Sequence, residues 1–251
     1  MQVSKYTLKG TRSSSESQIF VAIEGLLQQQ LQISLRGSDD NNFDQPRCRL
    51  KLQNNQINYR SAIALALAGK YSCCPSNLAQ ELSTSLKQQL NVNFVQVKVT
   101  PPAWIDFLIT ETAIQQWLQE NLDAITLQQF PRSVNSQNAF SEYIRGRCSS
   151  ILQLGISESI ISDTPRDWKI PSFPHQNWLT ATDWQFLSRL MATIDDLECP
   201  SGNRKLGWSA FDQFHRHSQI FDRKQPHFPE ISQLRLYLIA LTEAILTVQE
   251  A

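Results

Sequence analysis

The stretch FSEYIRGRCSSILQLG, residues 140–155, combines an aromatic hydroxyl with a permanent cation at helical spacing. At about 100° per residue, Tyr143 and Arg147 share one strip of a helix. That strip borders an apolar arc formed by Phe140, Ile144, Cys148 and Ile151. Both side chains can reach into a groove beside that arc. The same pair equally suits a contact that closes the edge of a helical bundle, with Arg147 meeting an acidic side chain.

A second set of basic residues alternates with apolar residues in RCRLKLQ, residues 47–53. The period of two predicts a strand with one buried face and one basic face. Three cations along one strand face suit a phosphate backbone, but the solvated outer face of an antiparallel sheet has the same pattern. The basic residues are Arg47, Arg49 and Lys51, and the apolar ones are Cys48, Leu50 and Leu52.

Side chains that could act as nucleophiles, acids or metal ligands lack the spacing that those roles need. Asp195 and Asp196 are sequence neighbours and diverge on a helix. Cys148 lies on the apolar side of its predicted helix, as an inert buried thiol does. His215 and His217, two residues apart, point to different sides of a helix, so we expect no zinc site. The eight glycines are scattered singly and form no phosphate loop. We therefore expect a protein that is not an enzyme and uses no cofactor or metal.

Composition indicates a globular protein with no strong overall field. The chain has 251 residues, 41% of them hydrophobic and 18% charged, with 23 Lys and Arg against 23 Asp and Glu. A nucleic-acid partner must therefore be held by a local patch. We find no run of about 18 apolar residues and no signal-peptide core near the N-terminus. The five cysteines include no CxxC, which favours reduced thiols. We expect a cytoplasmic protein of two domains.

The first half of the chain predicts an α+β domain over residues 18–119, preceded by a flexible segment, 1–17. Its first helix begins near residue 18. NYRSAIALALAG predicts an alanine-rich helix closed by Gly69, and CPSNLAQELSTSLKQQL predicts a helix with Ser76 as N-cap. FVQVKV and WIDFLI alternate as two strands around a pair of prolines, which predicts an antiparallel hairpin.

The second half predicts an all-α bundle over residues 138–251, joined by a linker over residues 120–137. Thr180 and Asp183 form a predicted capping box before WQFLSRLMATIDDL. The last helix, within EISQLRLYLIALTEAILTVQEA, is apolar on most sides and suits the centre of a bundle. The loop 165–184 between these helices carries aromatic residues that could anchor a protein partner, namely Trp168, Phe173, Trp178 and Trp184.

The order of these segments resembles two parts of the arginyl-tRNA synthetases. INYRSAIALALA, PSNLAQEL and VQVKVTPPAWIDFLI, within residues 57–109, are similar to the family's N-terminal extra domain. FSEYIRGRCSSILQ resembles the first helix of its anticodon-binding bundle, the DALR domain, and LGWSAFDQFHRHSQIF and QLRLYLIALTEAI look like later helices. The family's catalytic core is missing between them, and neither a His-x-Gly-His sequence nor a KMSKS-like loop occurs.

The resemblance implies a non-catalytic paralogue that keeps both tRNA-binding ends of a synthetase. It implies that Tyr143 and Arg147 face an anticodon loop and that Trp104 and Asp106 occupy positions that read a D-loop nucleotide. Asp106 departs from the family's polar amide, because an ionised carboxylate cannot donate to a base and repels phosphates. The expected partner is tRNA, with tRNA-Arg suspected, and the expected role is to hold or escort tRNA or to modulate a synthetase. The alternative is a scaffold protein that has reused these domains and binds another protein through the loop 165–184.

Overall fold

The protein divides into two compact units whose boundary falls between residues 113 and 114. The computed structural model describes residues 22–35, 46–127, 139–171, 179–198 and 208–249. The first unit contains a small sheet and helices, and the described elements of the second are helical. This confirms the predicted fold class, an α+β domain with a small antiparallel sheet followed by a helical domain. The predicted flexible segment, 1–17, lies outside the described residues.

The sheet of the first unit has four strands, and every neighbouring pair is antiparallel. The strands are β1 (Arg49–Gln53), β2 (Gln56–Ser61), β3 (Val95–Thr100) and β4 (Trp104–Ile109), in the spatial order β1-β2-β4-β3. The predicted strand at RCRLKLQ and the predicted hairpin of β3 and β4 are both present. The two halves of the sheet are joined by the pairing of β2 with β4.

One face of the sheet is the core of this unit. Ile57, Tyr59, Ile105 and Phe107 alternate along the two central strands and are fully buried. Three helices belong to the same unit: α1 (Ile23–Leu35), α2 (Ile63–Tyr71) and α3 (Pro75–Gln89). α2 and α3 contact the sheet and each other, and α1 contacts α3. The alternation of apolar and polar residues therefore leaves the polar side chains of all four strands on the opposite face.

The first strands differ from the prediction, because NYRS is not helical. Residues 58–61 belong to β2, and the pairing of Gln53 with Gln56 leaves Asn54 and Asn55 as a two-residue turn. Both asparagines have positive φ angles, 50° and 57°, as a type I′ hairpin turn requires. Asparagine tolerates this conformation better than most residues. The two asparagines were the sequence signal for a hairpin, and the alanine-rich run that follows obscured it.

Two predicted helix ends in this unit were also wrong. Gly69 lies inside α2, which ends at Tyr71 with Ser72 in the left-handed region. Cys74 is the N-cap of α3, with Pro75 at the first helical position, as its fixed φ favours. Ser76 is therefore already inside α3, and its hydroxyl donates to the carbonyl of Pro102 at 3.1 Å.

The described helices of the second unit begin with most of α4. They are α4 (Glu111–Leu127), α5 (Ala139–Ser157), α6 (Ala181–Glu198), α7 (Trp208–His217) and α8 (Glu230–Gln249), with a short 3-10 turn at Pro165–Asp167. α8 is buried along nearly its whole length, as predicted for a central helix. α5 packs closely against it, because a Cβ on Gly155 would lie 2.6 Å from a methyl carbon of Leu236.

α8 is also long and apolar enough to cross a membrane, judged by length and composition alone. No other helix in the described ranges meets that test. However, 78% of its apolar window is buried inside the protein, and the core helix of a soluble protein passes the same test.

The predicted linker begins as helix. Residues 120–127 continue α4, and Leu122 is buried beside the turn that carries Trp117 and Leu118. The same helix holds the chain after the 3-10 turn, since Gln119 donates to the carbonyl of Trp168 and accepts from the N–H of Ile170 at 2.8 Å. Residues 128–137 of the predicted linker lie outside the described residues.

The predicted capping box at the start of α6 is present. The N–H of Thr180 donates to a carboxylate oxygen of Asp183 at 2.9 Å, and the N–H of Asp183 donates to the hydroxyl of Thr180 at 3.2 Å. The two residues thus satisfy each other's backbone donors at the exposed end of the helix.

Asp183 also lies at the centre of a buried ionic network. Arg235 of α8 donates to both carboxylate oxygens of Asp183, at 3.1 and 2.9 Å, and both side chains are excluded from solvent. The hydroxyl of Ser218, just after α7, donates to the same carboxylate at 2.8 Å. Arg235 reaches further, to the carbonyl of Gln219 and the side chain of Gln225. Burial raises the pKa of Asp183, but the hydrogen bonds and charge of Arg235, together with the hydrogen bonds from Ser218 and the Thr180 N–H, outweigh burial, so the pKa lies below its usual range.

Replacing Arg235 with alanine should destabilise the helical unit by about 3–5 kcal/mol, because Asp183 would remain buried without its cation. Arg216→Ala is the matched control, since it removes an exposed pair with Asp212 on α7 and should cost roughly 0.3–0.5 kcal/mol. Urea unfolding followed by far-UV circular dichroism measures both. Equal unfolding midpoints for the two variants would contradict a structural role for Arg235.

Candidate nucleic-acid interface

The polar face of the sheet carries a row of charged side chains across all four strands. Arg49 on β1 pairs with Arg60 on β2, Arg60 with Asp106 on β4, and Asp106 with Lys98 on β3. Directly paired residues of an antiparallel sheet project to the same side. The sequence showed the basic residues of β1, but only the strand order shows that Arg60 and Lys98 join them.

This surface, which we call the basic sheet face, holds four basic side chains and one carboxylate on the strands that the structure describes. Arg49, Lys51 and Lys98 are exposed to solvent, whereas Arg60 and Asp106 lie mostly buried between them. The rest of the face is neutral and mostly polar. Its other members are Gln53, Gln56, Asn58, Gln96, Thr100, Trp104 and Leu108.

Asp106 is held by the protein itself. Arg60 donates to both of its carboxylate oxygens, at 2.6 and 2.7 Å, and the hydroxyl of Thr100 donates at 2.9 Å. Burial pushes the pKa of Asp106 upward, but the hydrogen bonds from Arg60 and Thr100 outweigh it and the pKa falls below its ordinary value. The predicted role of Asp106 in reading a nucleotide directly is therefore disfavoured, because its acceptors are already occupied.

Trp104 lies half-buried at the start of β4, next to this ion pair. The guanidinium carbon of Arg60 lies 5.6 Å from the centroid of the Trp104 ring, within range of a cation–π contact. The ion pair with Asp106 and the ring contact together hold the Arg60 side chain in place. Trp104 is thus fixed beside the exposed cations and has the aromatic surface on which a base can stack.

Arg47 is separated from the other two basic residues of its segment. It precedes β1 and pairs with Glu24 of α1, with its Nε 2.9 Å from a carboxylate oxygen. Glu24 is buried, so this pair fastens α1 to the start of the sheet. Of the three cations predicted on one strand face, Arg49 and Lys51 share it and Arg47 does not.

On α5, Tyr143 and Arg147 lie on the solvent side. Tyr143 is 64% exposed, and Arg147 is exposed one turn further along. The predicted apolar arc is displaced, because Phe140 is exposed while Ser141, Ile144 and Cys148 are buried. No salt bridge to Arg147 is present in the described part of the chain, so the alternative of an acidic partner closing the bundle gains no support.

The exposed side of α5 is unusually aromatic and apolar. Phe140 and Tyr143 have ring centroids 6.4 Å apart, and Leu154 is 45% exposed on the same side of the helix. Residues 143 and 154 are eleven apart and therefore project in nearly the same direction. We call Phe140, Tyr143, Arg147 and Leu154 the α5 face.

His215 of α7 lies within electrostatic reach of Arg147, a proximity that the sequence did not predict. Its ring stacks on Phe211 with centroids 6.1 Å apart. Burial lowers the pKa of His215, and the charge of Arg147 lowers it further. The imidazole is therefore neutral at neutral pH and can both donate and accept a hydrogen bond beside the Arg147 cation.

The cysteine and the two aspartates that could have acted in catalysis are buried in the helical unit. Burial raises the pKa of the Cys148 thiol, and the carboxylate of Glu243 raises it further, so this thiol is a poor nucleophile. Asp195 and Asp196 are buried on α6. No group of three or more potential metal ligands occurs among the residues described.

The proposed protein anchors of the loop 165–184 are only partly described. Trp168 is buried, packs on Tyr237 with ring centroids 5.4 Å apart, and donates its indole N–H to the carbonyl of Ser162. Trp184 is 1% exposed in the core. Neither ring is available as a surface anchor. Phe173 and Trp178 lie outside the described residues.

No protein-family model, curated protein or solved structure matches this chain. The resemblance to arginyl-tRNA synthetases therefore stays a prediction from the sequence motifs.

Asp106→Asn should destabilise the first unit by about 1.5–3 kcal/mol, the usual value of hydrogen bonds to a charged group. The amide keeps the shape of the carboxylate but cannot accept both hydrogen bonds from Arg60. Glu81→Gln, an exposed residue of α3, makes the same charge change without a buried partner and should leave the urea midpoint nearly unchanged. If both variants unfold alike, the Arg60–Asp106 pair does not stabilise the sheet.

Proposed function

We propose that this chain is a non-catalytic RNA-binding protein whose ligand is tRNA. The basic sheet face is the observation that carries the proposal, because a chain with no net charge concentrates exposed cations there. Phosphate contacts supply most of the affinity in nucleic-acid binding, and they need clustered Lys and Arg rather than a high overall charge. The choice of tRNA comes from the resemblance to the two tRNA-binding ends of arginyl-tRNA synthetases.

The surroundings of Asp106 support this proposal. An unpaired carboxylate in the middle of the face would repel phosphates. The bidentate bond with Arg60 removes most of that repulsion, since the two charges lie 2.6 Å apart and act at a distance as a neutral pair. Arg49, Lys51 and Lys98 then remain as exposed positive charges around it, with Trp104 alongside.

The α5 face contributes a second kind of contact. An exposed tyrosine ring can stack on any unpaired base, and Arg147 one turn away can bind the adjoining phosphate. Stacking is worth about 1–3 kcal/mol per base by alanine substitution. Tyr143 is exposed enough for its ring to be reached without moving the helix.

Replacing Arg49 and Lys51 together with alanine should weaken tRNA binding and flatten its dependence on salt. Each lost phosphate contact should lower the slope of log affinity against log salt by about 0.7–0.9. Filter binding to bulk tRNA at several salt concentrations measures this slope. The control is Lys70→Ala with Lys87→Ala, two exposed lysines of the same unit that lie on α2 and α3 and not on the sheet face. If both double variants give the wild-type slope, or if the wild type shows no salt dependence, the basic sheet face does not bind RNA.

A protein-binding function is the second candidate, because Phe140 and Leu154 add apolar area to the α5 face. Exposed apolar groups in a row are typical of protein interfaces. Leu154 can contribute to a protein interface, but it has no aromatic ring on which a base could stack. Leu154 and Tyr143 therefore distinguish the two candidate functions.

Tyr143→Ala should therefore lower tRNA affinity about 5- to 150-fold, the equivalent of one stacked base. Leu154→Ala, on the same side of the same helix, should leave tRNA affinity unchanged. Filter binding at constant salt measures both variants. Unchanged binding in both would remove the α5 face from the RNA contact and favour a protein partner there. Equal losses in both would contradict the stacking role of Tyr143.

A further inference from the structure

Two adjacent cysteines, Cys73 and Cys74, lie at the surface of the connection between α2 and α3. Both side chains are exposed. The other two cysteines in the described part of the chain, Cys48 and Cys148, are buried. Among these four cysteines, the adjacent pair is the one that a solution oxidant or thiol reagent can reach.

The backbone on both sides of the pair is fixed by the two helices. Ser72 turns the chain out of α2 in the left-handed region, and the N–H of Cys73 donates to the carbonyl of Ala68 at 3.2 Å. The carbonyl of Cys74 accepts the N–H of Leu78 at 3.2 Å, one turn into α3. The peptide that joins the cysteines is thus anchored at each end.

The thiol of Cys74 has no structural duty at the N-cap of α3. Ser, Thr, Asp and Asn are preferred at an N-cap because their side-chain oxygen accepts a backbone N–H. Cys74 occupies the N-cap and makes no such bond. The fold therefore holds two neighbouring thiols at the surface and makes no capping bond with the thiol of Cys74.

We propose that Cys73 and Cys74 form a redox-sensitive dithiol that reacts with low-molecular-weight disulfides such as glutathione disulfide. The thiolate of one cysteine attacks a glutathione sulfur, which forms a mixed disulfide and releases one glutathione thiolate. The neighbouring cysteine then attacks the protein sulfur of the mixed disulfide and releases the second. Two protein thiols are oxidised to the disulfide, and one glutathione disulfide is reduced to two glutathione thiolates. The two protons lost by the protein thiols pass through solvent to those thiolates, which gives two glutathione thiols.

The product is a strained disulfide, and this strain makes the reaction reversible. Adjacent Cα atoms across a trans peptide are about 3.8 Å apart, whereas disulfides usually join Cα atoms about 4.4–6.8 Å apart. The anchored backbone resists the torsional change that ring closure needs. Strained and exposed disulfides are the more easily reduced ones. The pair should therefore oxidise only when the surrounding thiol pool becomes oxidising and should return to the dithiol when the pool recovers.

The experiment equilibrates the reduced full-length protein with glutathione and glutathione disulfide, then traps free thiols by acid and alkylation. Cleavage after Lys70 and Lys87 yields a peptide, residues 71–87, that contains only these two cysteines. In reducing buffer we expect mass spectrometry to show this peptide with both cysteines alkylated. As the buffer becomes oxidising, the peptide should appear without alkyl groups and two hydrogen atoms lighter than the dithiol, and the alkylated form should return when glutathione is added back. Cys48 and Cys148 should stay reduced throughout.

Cys73→Ser and Cys74→Ser are the matched controls, because each keeps one exposed thiol and removes its neighbour. Both should keep a stable glutathione adduct, whereas the wild type should resolve it to the internal disulfide. Circular dichroism checks that both variants fold. A wild-type peptide that stays reduced, that accumulates adducts like the single variants, or that pairs with a different cysteine would overturn the proposal.

Discussion

The helical unit depends on the buried pair of Asp183 and Arg235. The pair joins the first turn of α6, the segment after α7 and the first half of α8 through one carboxylate and one guanidinium. Taking two charges out of water costs several kcal/mol per ion, and Coulomb attraction repays this only with complete hydrogen bonding. Here both oxygens of Asp183 and all three nitrogens of Arg235 have partners. The pair therefore fixes geometry more than it adds stability. α8 is buried along nearly its whole length, and the hydrogen bonds of Arg235 link one position on it to α6 and to the segment after α7.

The first unit uses the same chemistry on a sheet. Asp106 and Arg60 form a bidentate pair between the two central strands, and Glu24 and Arg47 form another between α1 and the start of β1. These pairs also decide which charges reach the surface. The arginines next to a buried carboxylate are committed to it, whereas Arg49, Lys51 and Lys98 remain exposed. The exposed charge of the basic sheet face therefore comes from the three cations that do not pair with a buried carboxylate of this unit.

The sequence predicted features that depend on residues a few positions apart. It did not predict features that depend on contacts between residues far apart in the chain. Thr180 and Asp183 are three residues apart, so their capping box was predictable. Arg235 lies 52 residues from Asp183, and no local pattern marks it as a partner. Arg49 and Lys51 were found from period two, but Lys98 joins them only through the strand order. The sequence did not predict whether Tyr143 is exposed, because the helix could bury the residues on either side of its apolar arc.

The zero net charge of the chain does not weaken a local electrostatic role for the sheet face. The one acidic side chain of α3, Glu81, is exposed on a helix that packs against the opposite, apolar side of the sheet. A helix with its side chains is about 10–12 Å across, whereas salt screens charges beyond about 8 Å at physiological ionic strength. The charge of Glu81 is therefore largely screened from a ligand on the other side. A phosphate near Arg49, Lys51 and Lys98 experiences those cations, so the strand register, rather than the total charge, determines what the face can bind.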